Sequence, residues 1–218
     1  MIKKLFIYFL FLGAAVFIEG GVSVSSTGLL VSSAIADSTT GAVAQKVAVL
    51  KAKAQGFFKN IRFANQVVNL SDLRFQTRDG QINSLRIFHG KPILLNIWAI
   101  WCAPCRKEMP ELAILDKKLG GNRFQVVAVN VDRVASNEKI DHFLQEVNAQ
   151  NLILYRDSTM VIFNEIRRLG LAIGLPVTLI VDKDGFLLGS FNGLASWGDK
   201  DAQNLMDALI AVESEAVS

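Results

Sequence analysis

The stretch Ile93-Leu-Leu-Asn-Ile-Trp-Ala-Ile-Trp-Cys-Ala-Pro-Cys105 decides the fold of this chain. It opens with a nearly continuous apolar run, Ile93–Trp98, which is typical of a strand buried on both faces of a sheet. Apolar residues at helical spacing follow from Met109 to Leu119, and Gly120 ends that pattern. The sequence therefore predicts a buried strand that leads through a Cys-x-x-Cys pair directly into a helix.

The two cysteines of this pair are expected to differ in their chemistry. The unpaired N–H groups and the positive dipole end of the helix stabilise a thiolate at Cys102, where the helix starts. Cys105 lies one turn later, which is close enough to form a disulfide with Cys102. We therefore predict that Cys102 is the exposed attacking thiolate and that Cys105 is the partly buried resolving thiol.

Other roles for the pair fit the sequence less well. A structural disulfide between such close residues constrains too little chain to stabilise the fold much. Covalent haem attachment requires a histidine directly after Cys105, and the chain has Arg106 there. His89 and His142 lack the spacing of metal ligands, although the thiolate pair could still hold a soft ion such as Cu(I). We therefore predict a redox-active pair, with no bound cofactor and no metal site.

Length and composition narrow the class of protein. A length of 218 residues fits one domain with a leader or a tail. Hydrophobic residues make up 51% of the chain and charged residues 20%, which excludes a disordered or fibrous protein. The presence of only 2 cysteines excludes four-thiolate zinc and iron–sulfur sites, and a net charge of +3 gives no case for nucleic-acid binding.

Downstream of the cysteine pair, the pattern alternates between strands and helices. Phe124–Val131 is a second buried run, and a helical face from Ile140 to Val147 follows it. Val177–Val181 is a further strand, and a closing helix extends to Val212. This order predicts an α/β fold in which the two central strands are parallel and joined by a right-handed crossover.

Upstream of the pair, we predict a globular domain at 67–218 preceded by a helical segment. An Asp-Gly turn at 79–80, flanked by short strand-like runs, predicts a β-hairpin at the start of the domain. Residues 37–66 carry apolar side chains at helical spacing from Val43 to Phe57, with lysines between them. This segment is predicted to be an amphipathic stalk or docking helix.

Residues 1–36 have the pattern of an export signal or membrane anchor. Lys3 and Lys4 precede the apolar run Leu5–Ile18. At about 1.5 Å per residue this run covers about 21 Å of a hydrocarbon core ~30 Å thick, so it is short for an anchor by itself. Two outcomes remain open, an uncleaved membrane tether and cleavage after Ala36. In both, we expect the rest of the chain to lie outside the cytoplasm.

Three segments of the sequence resemble the thioredoxin superfamily, and within it the TlpA-type membrane-anchored thiol–disulfide interchange proteins of the bacterial periplasm. They are Gly90–Pro110, Val126–Asp132 and Gly174–Thr178. The resemblance implies a thioredoxin-like fold, with a central mixed β-sheet flanked by helices, and a periplasmic location. The chain has Asn96 where cytoplasmic thioredoxins have a buried aspartate, so the proton-handling group must lie elsewhere.

The resemblance also implies roles for residues around the cysteine pair. Pro176 is expected to be a cis-proline that faces the disulfide, with Leu175 offering backbone groups to an extended substrate strand. Glu108 is expected to handle the proton of Cys105, and Trp101 to cover the site where substrate binds. From the residues alone, Pro176 would be a trans proline at a strand edge, and Glu108 a carboxylate that stabilises the helix dipole.

Together these observations predict an exported thiol–disulfide oxidoreductase that acts mainly as a reductant. The resemblance implies disulfide-containing substrate proteins: a copper chaperone, a copper-site subunit of cytochrome oxidase, or an apocytochrome c. It also implies a membrane thiol transporter that returns the electrons. Two alternatives remain open, an oxidant that introduces disulfides and a non-catalytic copper-binding or chaperone module that uses the thiolate pair.

Overall fold

The computed structural model describes residues 27–215, with side chains described from Ser38 to Ser214. Within this range the helices are α1 Thr27–Lys53, α2 Ala103–Leu119, α3 Asn137–Glu146, α4 Val161–Arg168 and α5 Lys200–Glu215. The strands are β1 Arg62–Phe63, β2 Arg74–Gln76, β3 Ile82–Ser84, β4 Ile93–Trp98, β5 Gln125–Asn130, β6 Tyr155–Arg156, β7 Val177–Val181 and β8 Leu187–Asn192. The predicted α/β class is confirmed.

The described strands form one mixed sheet in the order β1-β8-β7-β4-β5-β6-β2-β3. Strand β4 runs parallel to β5, as predicted, and antiparallel to β7. Every residue of β4 is buried, because this strand lies inside the sheet and helices flank the sheet. The C-terminal end of β4 leads directly to the cysteine pair, so the pair is attached to a completely buried strand.

The predicted β-hairpin is confirmed at one edge of the sheet. Strand β2 pairs antiparallel with β3, and Gly80 has a φ of +84° in the turn between them. Glycine adopts this left-handed conformation without the steric cost that a side chain brings. The hairpin joins the main sheet through β6, where Gln76 pairs with Arg156.

The segment at 37–66 is helical only as far as Lys53, so the helical pattern that continued to Phe57 is wrong at its end. Gly56 has a φ of +51°, and a short 3-10 turn, Gly56–Asn60, replaces the last turn of the expected helix. Phe57 is consequently exposed rather than buried against the domain. The chain then enters the sheet as β1, which pairs with β8.

Helix α1 docks on the rest of the chain. Leu50 is completely buried, and the ammonium of Lys46 lies 2.7 Å from Asp182 Oδ2 and 2.9 Å from Glu213 Oε2. Asp182 directly follows β7 and Glu213 belongs to α5, so Lys46 connects three elements. The predicted division of the chain at residue 67 and the role of 37–66 as a stalk remain predictions.

Most of the predicted leader, residues 1–26, lies outside the described residues. Residues 27–36 belong to α1, so the predicted end of the leader at Ala36 falls inside a continuous helix. No helix within 27–215 is both long enough and apolar enough to cross a membrane.

Candidate active site

The Cys-x-x-Cys pair lies where β4 ends and α2 begins. A turn joins the two elements and is closed by a hydrogen bond of 3.2 Å from the Cys102 amide to the Ala99 carbonyl. Cys102 is the N-cap of α2, and its Sγ accepts a hydrogen bond from the Cys105 amide at 3.2 Å. The two sulfurs are joined in a disulfide. The pair therefore occupies the helix N-terminus, where the sequence predicted it.

The two cysteines are both buried, but not equally. Cys102 is 5% exposed and Cys105 is 0% exposed. Cys102 is therefore not exposed in this disulfide-bonded form, contrary to expectation, and its role as the attacking thiolate of the reduced form remains a prediction. Trp101 is 66% exposed. The exposed group next to the cysteine pair is thus the ring of Trp101.

The Leu175–Pro176 peptide bond is cis, as the resemblance implied and the local sequence did not. Pro176 immediately precedes β7, and the first residue of that strand, Val177, pairs with Ile97 near the end of β4. This register places Pro176 beside the C-terminal end of β4, from which the chain continues into the cysteine pair. The contact of Pro176 with the disulfide and the role of Leu175 in substrate binding remain predictions.

Glu108 is completely buried, at 0% exposure, on the side of α2 that packs into the core. Its Oε1 accepts hydrogen bonds from Trp197 Nε1 at 2.9 Å and from the Ala195 amide at 3.2 Å, and its Oε2 accepts from Asn96 Nδ2 at 2.9 Å. Burial raises the pKa of Glu108 to about 7, although these hydrogen bonds favour the charged form and act in the opposite direction. Glu108 therefore titrates close to neutral pH.

Asn96 holds Glu108 from the central strand with a neutral amide. The amide nitrogen also donates to Thr178 Oγ1 on β7 at 2.9 Å. The amide oxygen is buried and has no hydrogen-bond partner in the part of the chain that the structure describes. In this orientation the amide donates to Glu108, which is the interaction that the charged carboxylate requires.

Trp197 is a site residue that the sequence reasoning missed. It lies in the loop between β8 and α5, and its buried ring packs against Phe58 with the ring centroids 5.0 Å apart. No local pattern distinguished it, because it belongs to neither a helical nor a strand repeat. Only the folded chain shows that its indole N–H binds Glu108.

The two histidines contact side chains other than the cysteines. His89 Nε2 and Ser71 Oγ are hydrogen-bonded at 2.9 Å, and His142 Nδ1 lies 3.3 Å from Glu146 Oε1. Within residues 27–215, no group of three or more His, Cys, Asp or Glu side chains is arranged to hold a metal ion. The two thiols, when reduced, are the groups at this site that suit a soft metal ion.

Comparison with curated proteins finds relatives that are named for thiol–disulfide chemistry. The chain is 27% identical over 115 residues to the thiol-disulfide oxidoreductase ResA of Bacillus thuringiensis subsp. konkukian, a match that covers 53% of this chain and 62% of that protein. It is 43% identical over 68 residues to the thioredoxin-like protein YneN of Bacillus subtilis, covering 31% of this chain and 39% of that protein. The matches thus span less than two thirds of the length of these relatives.

Solved structures of similar fold include two from Chlorobium tepidum. A structure assigned as a thiol:disulfide interchange protein DsbE has a TM-score of 0.54 and 26% identity, and the match covers 66% of this chain and 98% of that chain. A thiol:disulfide interchange protein of the thioredoxin family has a TM-score of 0.55 and 19% identity, with coverage of 67% and 99%. The thioredoxin-like fold, with a mixed sheet flanked by helices, is therefore confirmed.

The family model that matches this chain covers residues 68–192, which is more than half of its length, and is that of the AhpC/TSA family. The matched region contains the cysteine pair, Glu108 and Pro176. Together with the matches to ResA and DsbE, it confirms the predicted resemblance to the thioredoxin superfamily and its TlpA-type thiol–disulfide proteins. The chain belongs to the AhpC/TSA family.

Proposed function

We propose that this chain is an extracytoplasmic thiol–disulfide oxidoreductase that acts mainly as a reductant of disulfides in partner proteins. The observation that carries the proposal is the Cys102–Cys105 disulfide at the N-terminus of α2. Backbone amides and the helix dipole at this position favour a thiolate in the reduced form. The names of the relatives ResA and DsbE support the same chemistry.

The reaction needs both cysteines in sequence. The thiolate of Cys102 attacks one sulfur of the partner disulfide, and the other partner sulfur leaves as a thiolate. The thiolate of Cys105 then attacks Cys102 in the mixed disulfide, which releases the second partner sulfur and forms the Cys102–Cys105 bond. The partner gains two electrons and this chain loses two, so a thiol donor must reduce the chain again.

Glu108 is the proposed acceptor for the proton of Cys105. Cys105 is completely buried, so water is a poor acceptor for its proton. Glu108 follows Cys105 by three residues on the same helix, which places the two on neighbouring positions of one face. A carboxyl with a pKa of about 7 is suited to take up and release a proton near neutral pH. The amide of Asn96 does not titrate there.

Substrate contacts are proposed for Trp101, Leu175 and Pro176. The exposed ring of Trp101 adjoins Cys102 and offers a broad apolar surface to a partner. Because Pro176 has no N–H group, the backbone of Leu175 is the neighbouring group available to pair with an extended partner strand. Recognition through the backbone suits a substrate that is a protein segment around a disulfide.

The proposed partners follow from the resemblance to TlpA-type proteins. They are disulfide-containing proteins of copper-site or cytochrome c assembly, namely a copper chaperone, an oxidase copper-site subunit or an apocytochrome c. A membrane thiol transporter is the proposed electron donor. The proposed location is the periplasm, either tethered to the inner membrane by residues 1–36 or soluble after cleavage near Ala36.

Single cysteine variants test the proposed chemistry. A Cys105→Ser chain can form a mixed disulfide but cannot resolve it, so it should accumulate covalent complexes with disulfide-containing proteins that a reductant releases. A Cys102→Ser chain lacks the same disulfide and is the matched control, and it should form few complexes. Complexes are measured on non-reducing gels, and disulfide reduction by the parent chain is measured with insulin. A parent chain that reduces no insulin, with equal trapping by the two variants, contradicts the proposal.

The direction of electron flow is tested by the redox equilibrium of the full chain with glutathione. A reduction potential well below about −180 mV supports a reductant, and a potential near about −120 mV supports an oxidant that introduces disulfides. Stoichiometric Cu(I) binding by the reduced chain, without insulin reduction, supports instead a copper-binding module.

A further inference from the structure

The turn before Cys102 is tied to a neighbouring loop through the backbone of Ile100. Ile100 is the second residue of the turn that begins at Ala99, and the amide of this position has no partner inside a β-turn. Here the Ile100 amide donates a hydrogen bond of 2.8 Å to Asp132 Oδ2. Asp132 lies just after β5, the strand that runs parallel to β4. One carboxylate thus links the active-site turn to the end of the next strand.

Asp132 is itself fixed by its neighbours. Asn130 Nδ2 donates to the same carboxylate oxygen at 2.8 Å, and Asn130 Oδ1 accepts from the Asp132 amide at 3.0 Å. Arg156 Nη2 donates to the Asp132 carbonyl at 3.4 Å and to the Ala135 carbonyl at 2.6 Å. The residue is also buried. Because its backbone and its side chain are both held, the carboxylate is a preorganised acceptor for the turn.

We propose that Asp132 is a positioning residue for the redox pair, and that it fixes the turn carrying Trp101 and Cys102 through the Ile100 amide. The inference rests on the proposed function, since it concerns the reactivity of the same pair. The Sγ of Cys102 lies 3.2 Å from the Cys105 amide, at the helix N-terminus that stabilises a thiolate. A turn that is freed from Asp132 holds Cys102 less firmly at that position, so the thiolate loses part of its stabilisation.

Substitutions of Asp132 can distinguish the effect of its hydrogen bonds from the effect of its negative charge. Both side-chain hydrogen bonds of Asp132 use one oxygen, Oδ2. An amide oxygen also has two lone pairs for hydrogen bonds, although each bond is weaker than one to a carboxylate, so Asp132→Asn retains both acceptor positions and removes the charge. Asp132→Ala removes the bonds and the charge together. Asp132→Ser is a milder change, because its short hydroxyl stays polar but cannot reach the Ile100 amide.

The test measures the alkylation of Cys102 by iodoacetamide as a function of pH in the reduced full chain, with the Cys102 and Cys105 peptides resolved by mass spectrometry. Only the thiolate reacts, so the rate reports the thiolate fraction. We expect Asp132→Ala and Asp132→Ser to raise the midpoint of the Cys102 alkylation profile by about half a pH unit. At pH values below the midpoint, this lowers the alkylation rate of Cys102 about threefold. Asp132→Asn should keep the profile of the parent.

Asp157→Ala is the matched control. Asp157 is also buried, also follows a strand, and accepts backbone hydrogen bonds from Thr159 at 2.9 Å and from Ile162 at 2.7 Å. Its bonds hold the start of α4 and none of them goes to the turn before Cys102. This variant should lose stability against urea and keep the Cys102 alkylation profile of the parent. It therefore shows whether a loss of stability alone changes the reactivity of Cys102.

Three results overturn the proposal: a parent-like profile in both Asp132→Ala and Asp132→Ser, an equal shift in Asp157→Ala, or a shift in Asp132→Asn as large as that in Asp132→Ala. If Asp132→Ala does not fold, the comparison of the serine and asparagine variants decides. Failure of the proposed function has a different signature, because the parent would then reduce no insulin while its Cys102 profile still responded to Asp132.

Discussion

Two buried carboxyl clusters in this protein are built in opposite ways. Glu108 accepts hydrogen bonds from neutral donors, among them the indole of Trp197 at 2.9 Å. Asp182 and Glu213 instead share a cation, because the Lys46 ammonium lies 2.7 Å from the first and 2.9 Å from the second. The first cluster lies one helical turn from the cysteine pair, and the second holds α1 against α5 and the end of β7.

The difference in partners gives the clusters different titration behaviour. Burial raises the pKa of Glu108 to about 7, and the neutral donors offset only part of this effect. Burial opposes the charge of Lys46, but its hydrogen bond with Asp182, its ion pair with Glu213 and the charges of both carboxylates outweigh this and raise its pKa. Burial raises the pKa of Glu213, and Lys46 offsets part of that shift. A buried acid among neutral donors can therefore exchange protons near neutral pH, whereas an acid paired with a lysine fixes structure.

The largest expected effect comes from breaking the ionic cluster. Lys46→Met leaves Asp182 and Glu213 buried without their cation, so we expect the free energy of unfolding to fall by about 3–5 kcal/mol. Urea denaturation of the full chain measures this change. The control is Lys51→Met on the exposed part of the same helix, which should change stability by less than about 0.5 kcal/mol. A loss in Lys46→Met no larger than in this control contradicts a structural role for the cluster.

The second prediction concerns the pH dependence that Glu108 gives to stability. Its folded pKa of about 7 lies above the ordinary value of 4.5, so the folded chain binds more protons than the unfolded chain between these values. The contribution of this group to stability therefore falls as pH rises from 4.5 to about 7, and stays constant above. The total fall is about 3 kcal/mol, since one pKa unit corresponds to about 1.4 kcal/mol.

Glu108→Gln removes this pH dependence without changing the shape of the side chain. Relative to the parent, the variant should gain about 3 kcal/mol of unfolding free energy between pH 4.5 and pH 8. The comparison is made by urea denaturation at several pH values, and subtracting the two curves cancels the other titrating groups. Parallel curves for the two chains would show that Glu108 has an ordinary pKa.

The smallest expected effect tests the neutral donors of the Glu108 cluster. Trp197→Phe removes the indole N–H that stabilises the charged carboxylate, so the pKa of Glu108 should rise by about one unit, as expected for a hydrogen bond to a charged group. Carbon-13 NMR of labelled glutamate measures the titration. Trp98→Phe is the control, because the buried Trp98 Nε1 has no partner in the described part of the chain. If the pKa of Glu108 shifts equally in both variants, the change comes from altered packing and not from the lost hydrogen bond.

The order of the longer strands and helices and the position of the cysteine pair could be predicted from the sequence, whereas the two-residue strands β1 and β6 were not predicted. The order and the position both depend on local patterns: the continuous apolar run of Ile93–Trp98, the helical spacing after it, and the Asp-Gly turn at 79–80. The helical pattern failed near Gly56, whose positive φ belongs to the 3-10 turn that replaces the last turn of the expected helix. The resemblance to a known family supplied the cis isomer of Pro176, which local preferences alone would have assigned as trans.

The chemical character of the site was decided by the tertiary structure. Glu108 receives its hydrogen bonds from Asn96, 12 residues before it, and from Trp197, 89 residues after it. The hydrogen bond between Asp132 and the Ile100 amide spans 32 residues, and the ion pair between Lys46 and Asp182 spans 136. The sequence determined which groups the chain carries and which local elements they occupy. Only the folded chain determined which of those groups lose water and which gain a partner, because desolvation and hydrogen bonding depend on distances between residues far apart in sequence.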